Sequence, residues 1–174
     1  VTQEGAAATL AALLPDDAIL IDEAITMRAP FYMATKNATA HDWLQIPGGA
    51  IGDGLPVATG AAVGAPGRRA IAIQADGSAM YTVQGLWTQA REKLPVTTVV
   101  LSNRKYQILI GEYFAVGANP GRTAMDMLDL GNPDINWCQL ANSMGVESAR
   151  ADTTEGFADL LAGSLKRSGP FLIE

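Results

Sequence analysis

Two short apolar runs in the middle of the chain each stop at polar residues. The run Ala70–Ala75 is followed directly by Asp76, and the run Val96–Leu101 is followed, after one serine, by Asn103. Uninterrupted apolar runs of this length are typical of strands buried on both faces of a parallel sheet. Between them, apolar residues recur at helical spacing over 83–94 and stop at a proline. The pattern predicts a strand–helix–strand unit whose two strands end at the same edge of the sheet.

The remaining pattern extends this unit to one α/β domain, a doubly wound parallel sheet of about six strands with helices on both faces. The polar run 41–45 is interpreted as a loop, and 117–132, rich in Gly, Asn, Asp and Met, as a long loop that serves as a lid or an interface segment. Further strands are predicted at 18–21, 146–150 and Phe171–Ile173, and further helices at 5–14, 27–33, 57–63, 104–114, 134–144 and 153–167.

Charge and cysteine content narrow the range of partners and compartments. The chain of 174 residues carries 18 acidic and 12 basic side chains, a formal net charge of −6. This balance argues against nucleic acid or an anionic membrane as a partner, because both favour basic patches. No apolar run approaches the length that spans a membrane, and no signal sequence opens the chain. Cys138 is the single cysteine, so an internal disulfide is excluded, and a cytoplasmic location is expected.

The polar residues that follow the two central strands are of a kind that binds metal ions. Asp76 and Asn103 carry oxygen atoms of the kind that Mg²⁺ binds, together with phosphate oxygens and water. Ligands of open α/β sheets bind beyond the carboxyl ends of the strands, where helix N-termini offer N–H groups to anions. A diphosphate held through Mg²⁺ would fit this edge. Taken singly, Asp76 with the following Gly and Ser is better explained as an ordinary turn, and Asn103 as a cap at a strand end.

Taken together, Asp76-Gly77 and, 27 positions later (103 − 76), Asn103 resemble the thiamine diphosphate signature of the thiamine-dependent 2-oxo acid decarboxylase and acetolactate synthase superfamily. The resemblance covers nearly the whole chain, although Ala75 replaces the first Gly of the signature. It implies Mg²⁺ bound by the side chains of Asp76 and Asn103 and by the Lys105 carbonyl. It also places Thr26, Gly77, Ser78 and Tyr106 near the diphosphate. The Thr26 hydroxyl is interpreted equally well as the N-cap of the helix predicted at 27–33, and one hydroxyl could serve both roles.

The glycine-rich passage 47–56 resembles the family segment that holds the aminopyrimidine ring of the cofactor. The resemblance implies that Ile51 is the wedge that bends thiamine and that its N–H donates to a ring nitrogen. It further implies that the Gly49 carbonyl accepts a hydrogen bond from the 4′-amino group. The passage does not match a Rossmann fingerprint, because no apolar strand leads directly into it.

The resemblance also implies an enzymatic activity that needs a catalytic group from outside this chain. Family members decarboxylate 2-oxo acids or join them to an acceptor, and a glutamate that activates the pyrimidine lies in a separate N-terminal domain, usually of a second subunit. No residue of this chain matches that glutamate, so no catalytic residue is assigned. We therefore expect residues 1–174 to be a C-terminal cofactor-binding domain excised from a longer enzyme, active as a homodimer or tetramer, with FAD allowed in a missing domain. The segment 76–90 looks closer to benzoylformate decarboxylases than to typical acetolactate synthases.

Three interpretations stay open at this stage: the enzyme domain, a catalytically silent module that keeps the thiamine diphosphate site, and a generic nucleotide-binding α/β domain. The lone His41 is read either as a general base or, with more weight, as a surface residue. The acids Asp22, Glu23 and Asp53 are interpreted as solvated or structural groups on loops at the sheet edge.

Overall fold

The computed structural model describes all residues 1–174 and contains one six-stranded sheet. Every pair of neighbouring strands is parallel, in the order β2-β1-β3-β4-β6-β5, which confirms the predicted doubly wound α/β fold. The bounds predicted for the two central strands and for the last strand are confirmed as well. The strands are β1 Ala18–Glu23, β2 His41–Gln45, β3 Ala70–Ala75, β4 Val96–Leu101, β5 Glu147–Ala149 and β6 Phe171–Ile173.

Nine α-helices and one 3₁₀ turn, Ile25–Met27, connect and cover these strands. None of the helices combines the length and the apolar composition needed to cross a membrane. The helices are α1 Gln3–Leu13, α2 Arg28–Thr35, α3 Gly54–Gly64, α4 Asp76–Ala79, α5 Gly85–Arg91, α6 Gln107–Ala115, α7 Arg122–Met127, α8 Trp137–Ser143 and α9 Thr154–Ser164.

The two faces of the sheet bury different side chains because successive residues of a strand point to opposite faces. On β3, Ile71 and Ile73 pack in the cluster formed with α1, α2 and α9. Ala70 and Ala72 instead pack in the cluster formed with α3, where smaller side chains let the helix approach the sheet closely. Full coverage on both faces explains why the sequence of β3 is apolar at every position except Gln74.

The prediction of a loop is wrong for two segments, because each contains regular secondary structure. The run 41–45 forms β2, an edge strand that pairs only with β1 and leaves most of its side chains exposed, so it lacks an apolar pattern. The segment 117–132 contains α7, a six-residue helix with no buried residue. In both segments the backbone is regular although the side chains bury too little surface to give a sequence signal.

The carboxyl ends of β1, β3 and β4 meet at one edge of the sheet. Glu23 pairs in register with Gln74, and Ala75 pairs with Leu101. The residues that follow these strands therefore come together, as the spacing of Asp76 and Asn103 predicts.

Candidate cofactor-binding site

Asp76 stands at the start of α4, directly after β3, and its side chain is almost fully buried. Its carboxylate accepts hydrogen bonds from the Gly77 N–H, at 2.9 Å, and from the Arg104 N–H. Burial raises the pKa of Asp76, and the hydrogen bonds from Arg104 and Gly77 oppose that rise. A buried carboxylate with backbone donors but no cationic side chain among these partners favours a bound cation nearby.

The turn after β4 presents two further oxygen atoms. The Asn103 side-chain oxygen accepts a hydrogen bond from the Lys105 N–H at 3.0 Å, and the intervening Arg104 adopts a left-handed φ of 57°. Lys105 forms an antiparallel bridge with Asp129, in which the Arg104 carbonyl accepts from the Leu130 N–H and the Tyr106 N–H donates to the Leu128 carbonyl. The Lys105 carbonyl accepts no hydrogen bond within the chain. One lone pair of Asn103 and the carbonyl of Lys105 thus remain available to a metal.

Two small residues shape the start of α4. Ala75 has φ −77° and ψ 147°, an extended conformation open to any residue, so its replacement of a signature glycine creates no strain. Gly77 has no such freedom, because a Cβ atom there would lie 2.7 Å from the ring of Tyr106. The aromatic ring therefore lies directly against the first turn of the helix.

Two hydroxyl side chains lie beside this turn, and they differ in their bonding. Ser78 donates to the carbonyls of Glu23 and Ala75, at 3.1 and 3.0 Å, so its proton is already committed to the backbone. Thr26, in the 3₁₀ turn Ile25–Met27, makes no hydrogen bond within the chain through its hydroxyl. Its neighbour Ile25 has a φ of 54°, which is unusual for a β-branched residue and marks a constrained turn.

A cavity of about 100 Å³ joins these groups. It contains seven of the nine predicted site residues, with Asp76 buried behind it and Gly49 outside it. A larger cavity, of about 350 Å³, opens between the ends of β4 and β6 and contains only Asn103 of the nine. The smaller cavity is lined by Thr26, Ile51, Gly77, Ser78, Asn103, Lys105 and Tyr106, and by others including Ile25, Ala75, Tyr81, Gln107, Ile108 and Leu109.

The glycine-rich passage forms the loop between β2 and α3. Ile51 projects into the cavity and is 40% exposed. Its N–H donates to the Gly49 carbonyl at 2.9 Å. The two backbone groups that the resemblance assigns to the pyrimidine ring therefore pair with each other in this structure.

Glu23 is the functional candidate that sequence reasoning missed. It lies at the end of β1 rather than on a loop, is 1% exposed, and accepts hydrogen bonds from the N–H groups of Gly52 and Gly54. Burial raises its pKa, with those hydrogen bonds opposing the rise. Of the two interpretations of Asp22 and Glu23, the structural one agrees with the fold, whereas the solvated one and the placement on loops are wrong, because both are buried strand residues. The glycine-rich passage was a usable signal, since its unpaired N–H groups require acceptors.

His41 lies far from the candidate site. It pairs with Ala18 at the amino end of β1, whereas the site lies beyond the carboxyl end, roughly 16 Å along the strand. Its Nδ1 lies 2.7 Å from the Thr39 carbonyl, so the histidine caps a local turn. The general-base interpretation of His41 is therefore wrong for this site.

The donor set suits Mg²⁺ bound together with a phosphate ligand. No three His, Cys, Asp or Glu side chains come together as a metal cluster. The site instead offers one carboxylate, one amide oxygen and one free backbone carbonyl. Mg²⁺ is commonly held by one or two carboxylates, with substrate phosphates and water in the remaining positions.

The comparisons with known proteins agree with this geometry. A family model described as "Thiamine pyrophosphate enzyme, C-terminal TPP binding domain" matches residues 26–174; thiamine pyrophosphate is another name for thiamine diphosphate. A Mycobacterium tuberculosis protein named "Putative acetolactate synthase large subunit IlvX" is 48% identical, covering 99% of this chain and 34% of the relative. Benzoylformate decarboxylase of Pseudomonas aeruginosa is 32% identical, covering 94% of this chain and 30% of the relative.

A solved structure shows the same fold. The thiamine diphosphate-dependent 4-hydroxybenzoylformate decarboxylase of Rhodococcus jostii superposes with a TM-score of 0.87 at 31% identity, covering 100% of this chain and 32% of that chain. The chain thus spans about one third of the length of these relatives. Because the family model matches most of its residues, the chain belongs to the family of C-terminal thiamine diphosphate-binding domains of thiamine diphosphate enzymes.

Proposed function

We propose that this chain binds thiamine diphosphate through Mg²⁺ and serves as the diphosphate-binding domain of a longer 2-oxo acid decarboxylase or carboligase. The observation that carries the proposal is the set of oxygen atoms at the ends of β3 and β4. Asp76 is fixed by two backbone N–H groups, and the Lys105 carbonyl has no other partner. A neutral pair of oxygens beside a single carboxylate would leave Mg²⁺ positive enough to attract a diphosphate.

In this proposal, different residues of the chain bind the metal ion and the diphosphate of the cofactor. Asp76, Asn103 and the Lys105 carbonyl hold Mg²⁺. The free hydroxyl of Thr26 and the N-terminus of α4, with Gly77 and Ser78, face the diphosphate, and Tyr106 covers it. Gly77 provides the close approach, since any side chain there would meet the Tyr106 ring.

On the pyrimidine side, Ile51 acts as the wedge that bends the bound cofactor. The Gly49 carbonyl and the Ile51 N–H would exchange their mutual hydrogen bond for bonds to the pyrimidine ring. The exchange breaks one hydrogen bond within the loop and forms two to the ring, so neither backbone group is left without a partner. When bound, thiamine diphosphate supplies the electron sink for release of CO₂ from a 2-oxo acid.

The complete enzyme needs groups that this chain does not supply. The glutamate that activates the pyrimidine is expected in an N-terminal domain of a second subunit, which makes a homodimer or tetramer the working unit. Relatives about three times as long as this chain are in keeping with such an assembly. We propose a cytoplasmic location, since the free thiol of Cys138 suits a reducing compartment. If the enzyme uses FAD, the FAD would bind to a domain outside this chain.

Calorimetry of the chain with thiamine diphosphate tests the proposal, with Mg²⁺ present or removed by chelation. We expect binding only with Mg²⁺, and loss of binding in Asp76→Ala. Asp126→Ala is the matched control, because Asp126 is an exposed acid on α7 that pairs only with Arg122. Equal binding with and without Mg²⁺, or full binding by Asp76→Ala, would contradict the site.

The two other candidate functions predict different results. A generic nucleotide-binding domain would bind ATP or NAD in preference to thiamine diphosphate. A silent module would bind thiamine diphosphate but would support no turnover once joined to a domain that carries the activating glutamate. The arrangement of oxygens at Asp76, Asn103 and Lys105 does not separate the silent module from the enzyme, so turnover of pyruvate and benzoylformate by the assembled protein decides between them.

A further inference from the structure

Glu23 binds two backbone N–H groups of the glycine-rich loop, two residues apart. Its two carboxylate oxygens accept hydrogen bonds from different N–H groups, Oε1 from Gly52 and Oε2 from Gly54, the latter at 3.0 Å. Gly52 directly follows Ile51, so the clamp fixes the peptide that carries the wedge. Glu23 itself is the last residue of a fully buried strand, which makes it a rigid anchor.

The carbonyl of Gly52, which belongs to the next peptide, is held as well. The Thr82 hydroxyl donates to the Gly52 carbonyl at 2.6 Å, and a Cβ atom at Gly52 would lie 2.6 Å from the Cβ of Tyr81. Gly52 also has a φ of 94°, a conformation that favours glycine. The residue Gly52 is therefore fixed through its N–H and its C=O, which belong to two successive peptides, whereas a Cβ atom at Gly49 would meet only open space.

Gln74 completes the environment of the clamp. It is fully buried beside Glu23 in the register of β1 and β3, and neither its amide nitrogen nor its amide oxygen has a hydrogen-bond partner. A Cβ atom at Gly54 would lie 2.1 Å from the Gln74 amide nitrogen and 2.6 Å from Glu23 Oε2. A residue with a side chain would therefore collide with these two buried polar groups, whereas glycine lies close enough for its N–H to donate to Glu23 Oε2.

We propose that Glu23 is a positioning residue that sets the height of the Ile51 wedge under thiamine by clamping the Gly52 and Gly54 N–H groups. The proposal rests on the proposed function for the identity of the ligand, but the clamp itself is a property of the chain. Because the clamp acts on the pyrimidine side, loss of the clamp should lower the affinity for thiamine diphosphate and leave the affinity for inorganic pyrophosphate unchanged.

The test uses Glu23→Gln, which keeps the side-chain size but replaces one acceptor oxygen by an NH₂ group facing a backbone N–H. Hydrogen exchange followed by mass spectrometry should show about tenfold or faster exchange over residues 48–55, without any ligand. Calorimetry with Mg²⁺ should show thiamine diphosphate affinity reduced about tenfold and inorganic pyrophosphate affinity unchanged.

Asp22→Asn is the matched control, since Asp22 is an equally buried acid on the same strand that bonds Ala24 and does not touch the loop. It should leave loop exchange and both affinities as in the wild type. Glu23→Asp keeps the charge but is too short to reach both N–H groups, and should give an intermediate effect; it carries the test if Glu23→Gln does not fold.

Wild-type exchange over 48–55 in both Glu23 variants would overturn the clamp. Equal losses of affinity for thiamine diphosphate and pyrophosphate would also overturn it, because Glu23 would then act on the diphosphate side. If the wild type bound neither ligand, the proposed function would fail, while the exchange measurement would still decide whether Glu23 holds the loop.

Discussion

Asp76 and Arg104 are joined directly, since the Asp76 carboxylate accepts a hydrogen bond from the Arg104 N–H 28 positions further along the chain. This bond ties the turn after β4 to the start of α4. The same turn presents Asn103 and the Lys105 carbonyl. The carboxylate therefore has two tasks, as a proposed metal ligand and as the group that arranges the other two ligands before any metal binds.

The first prediction follows from this double task. Asn103→Ala should weaken Mg²⁺-dependent thiamine diphosphate binding less than Asp76→Ala, because it removes a neutral ligand and leaves the carboxylate bonded to Arg104. Calorimetry at matched Mg²⁺ concentrations gives both dissociation constants. A larger loss in the asparagine variant would argue that Asp76 is only a structural acceptor.

The second prediction concerns the contact of Gly77 with Tyr106. Gly77→Ala should destabilise the chain by about 1–3 kcal/mol and weaken cofactor binding, because the new methyl group would displace the ring. Gly60→Ala is the control, as a glycine inside α3 with open space around it, and should stabilise by about 0.5–1 kcal/mol. Urea unfolding measures both changes. A Gly77 variant as stable as the wild type would show that the Tyr106 ring moves freely.

The third prediction is a pH dependence from Asp22. Burial raises the pKa of Asp22 in the folded chain above its ordinary 3.8, although the bond from Ala24 and the charge of Arg28 oppose the rise. The folded state then binds the proton more tightly, so the stability contributed by protonated Asp22 is complete below pH 3.8 and is lost as the pH rises through the raised pKa. The melting temperature of Asp22→Asn, relative to the wild type, should therefore increase between pH 4 and pH 7. A constant or falling difference over that range would contradict it.

The fourth prediction concerns self-association through the surface of α6 and the residue that follows it. Four apolar side chains there are 43–76% exposed, namely Ile108, Leu109, Phe114 and Val116. An exposed apolar patch of this kind marks an interaction surface. Light scattering of the assembled enzyme should give a dimer or a larger even-numbered assembly, and Phe114→Ser should weaken it at least about tenfold. Val63→Ser, on the similarly exposed Val63 of α3, is the control and should leave the assembly intact.

The fifth prediction is that the 174-residue chain alone does not turn over a 2-oxo acid, even with thiamine diphosphate and Mg²⁺. A positioned proton donor is typically worth about 10²–10⁴ in rate, and the open cavity beside Ile51 admits water. In the assembled enzyme, Ile51→Ala should lower kcat more than cofactor affinity. Steady decarboxylation of benzoylformate by the isolated chain, above a cofactor-only control, would overturn the need for a second domain.

The strands at the centre of the sheet could be predicted from sequence because burial on both faces leaves a largely apolar run without alternation, as in Ala70–Ala75. The edge strand His41–Gln45 could not, since its backbone pairs with β1 while its side chains remain largely exposed. Helix α7 escaped prediction for a similar reason, because none of its residues is buried.

The candidate site was predictable where chemistry and spacing coincide, as for Asp76 and Asn103. Glu23 was missed because a single acid at a strand end gives no sign of its partners. Its role depends on a loop 29 positions away, and only the fold brings the Gly52 N–H to it. The pairing of Gly49 with Ile51 was hidden likewise, since it is a backbone conformation with no residue signature.

Both edges of the sheet resist the addition of a foreign strand. At one edge β2 carries Asp42, whose side chain is 58% exposed, and at the other β5 has only three residues and begins with the exposed Glu147. Charged and very short edge strands are poor templates for a further strand, because a docked chain would gain few hydrogen bonds and meet charge. Assembly through helices, such as the proposed surface of α6, would leave the sheet register, and with it the spacing of Asp76 and Asn103, unchanged.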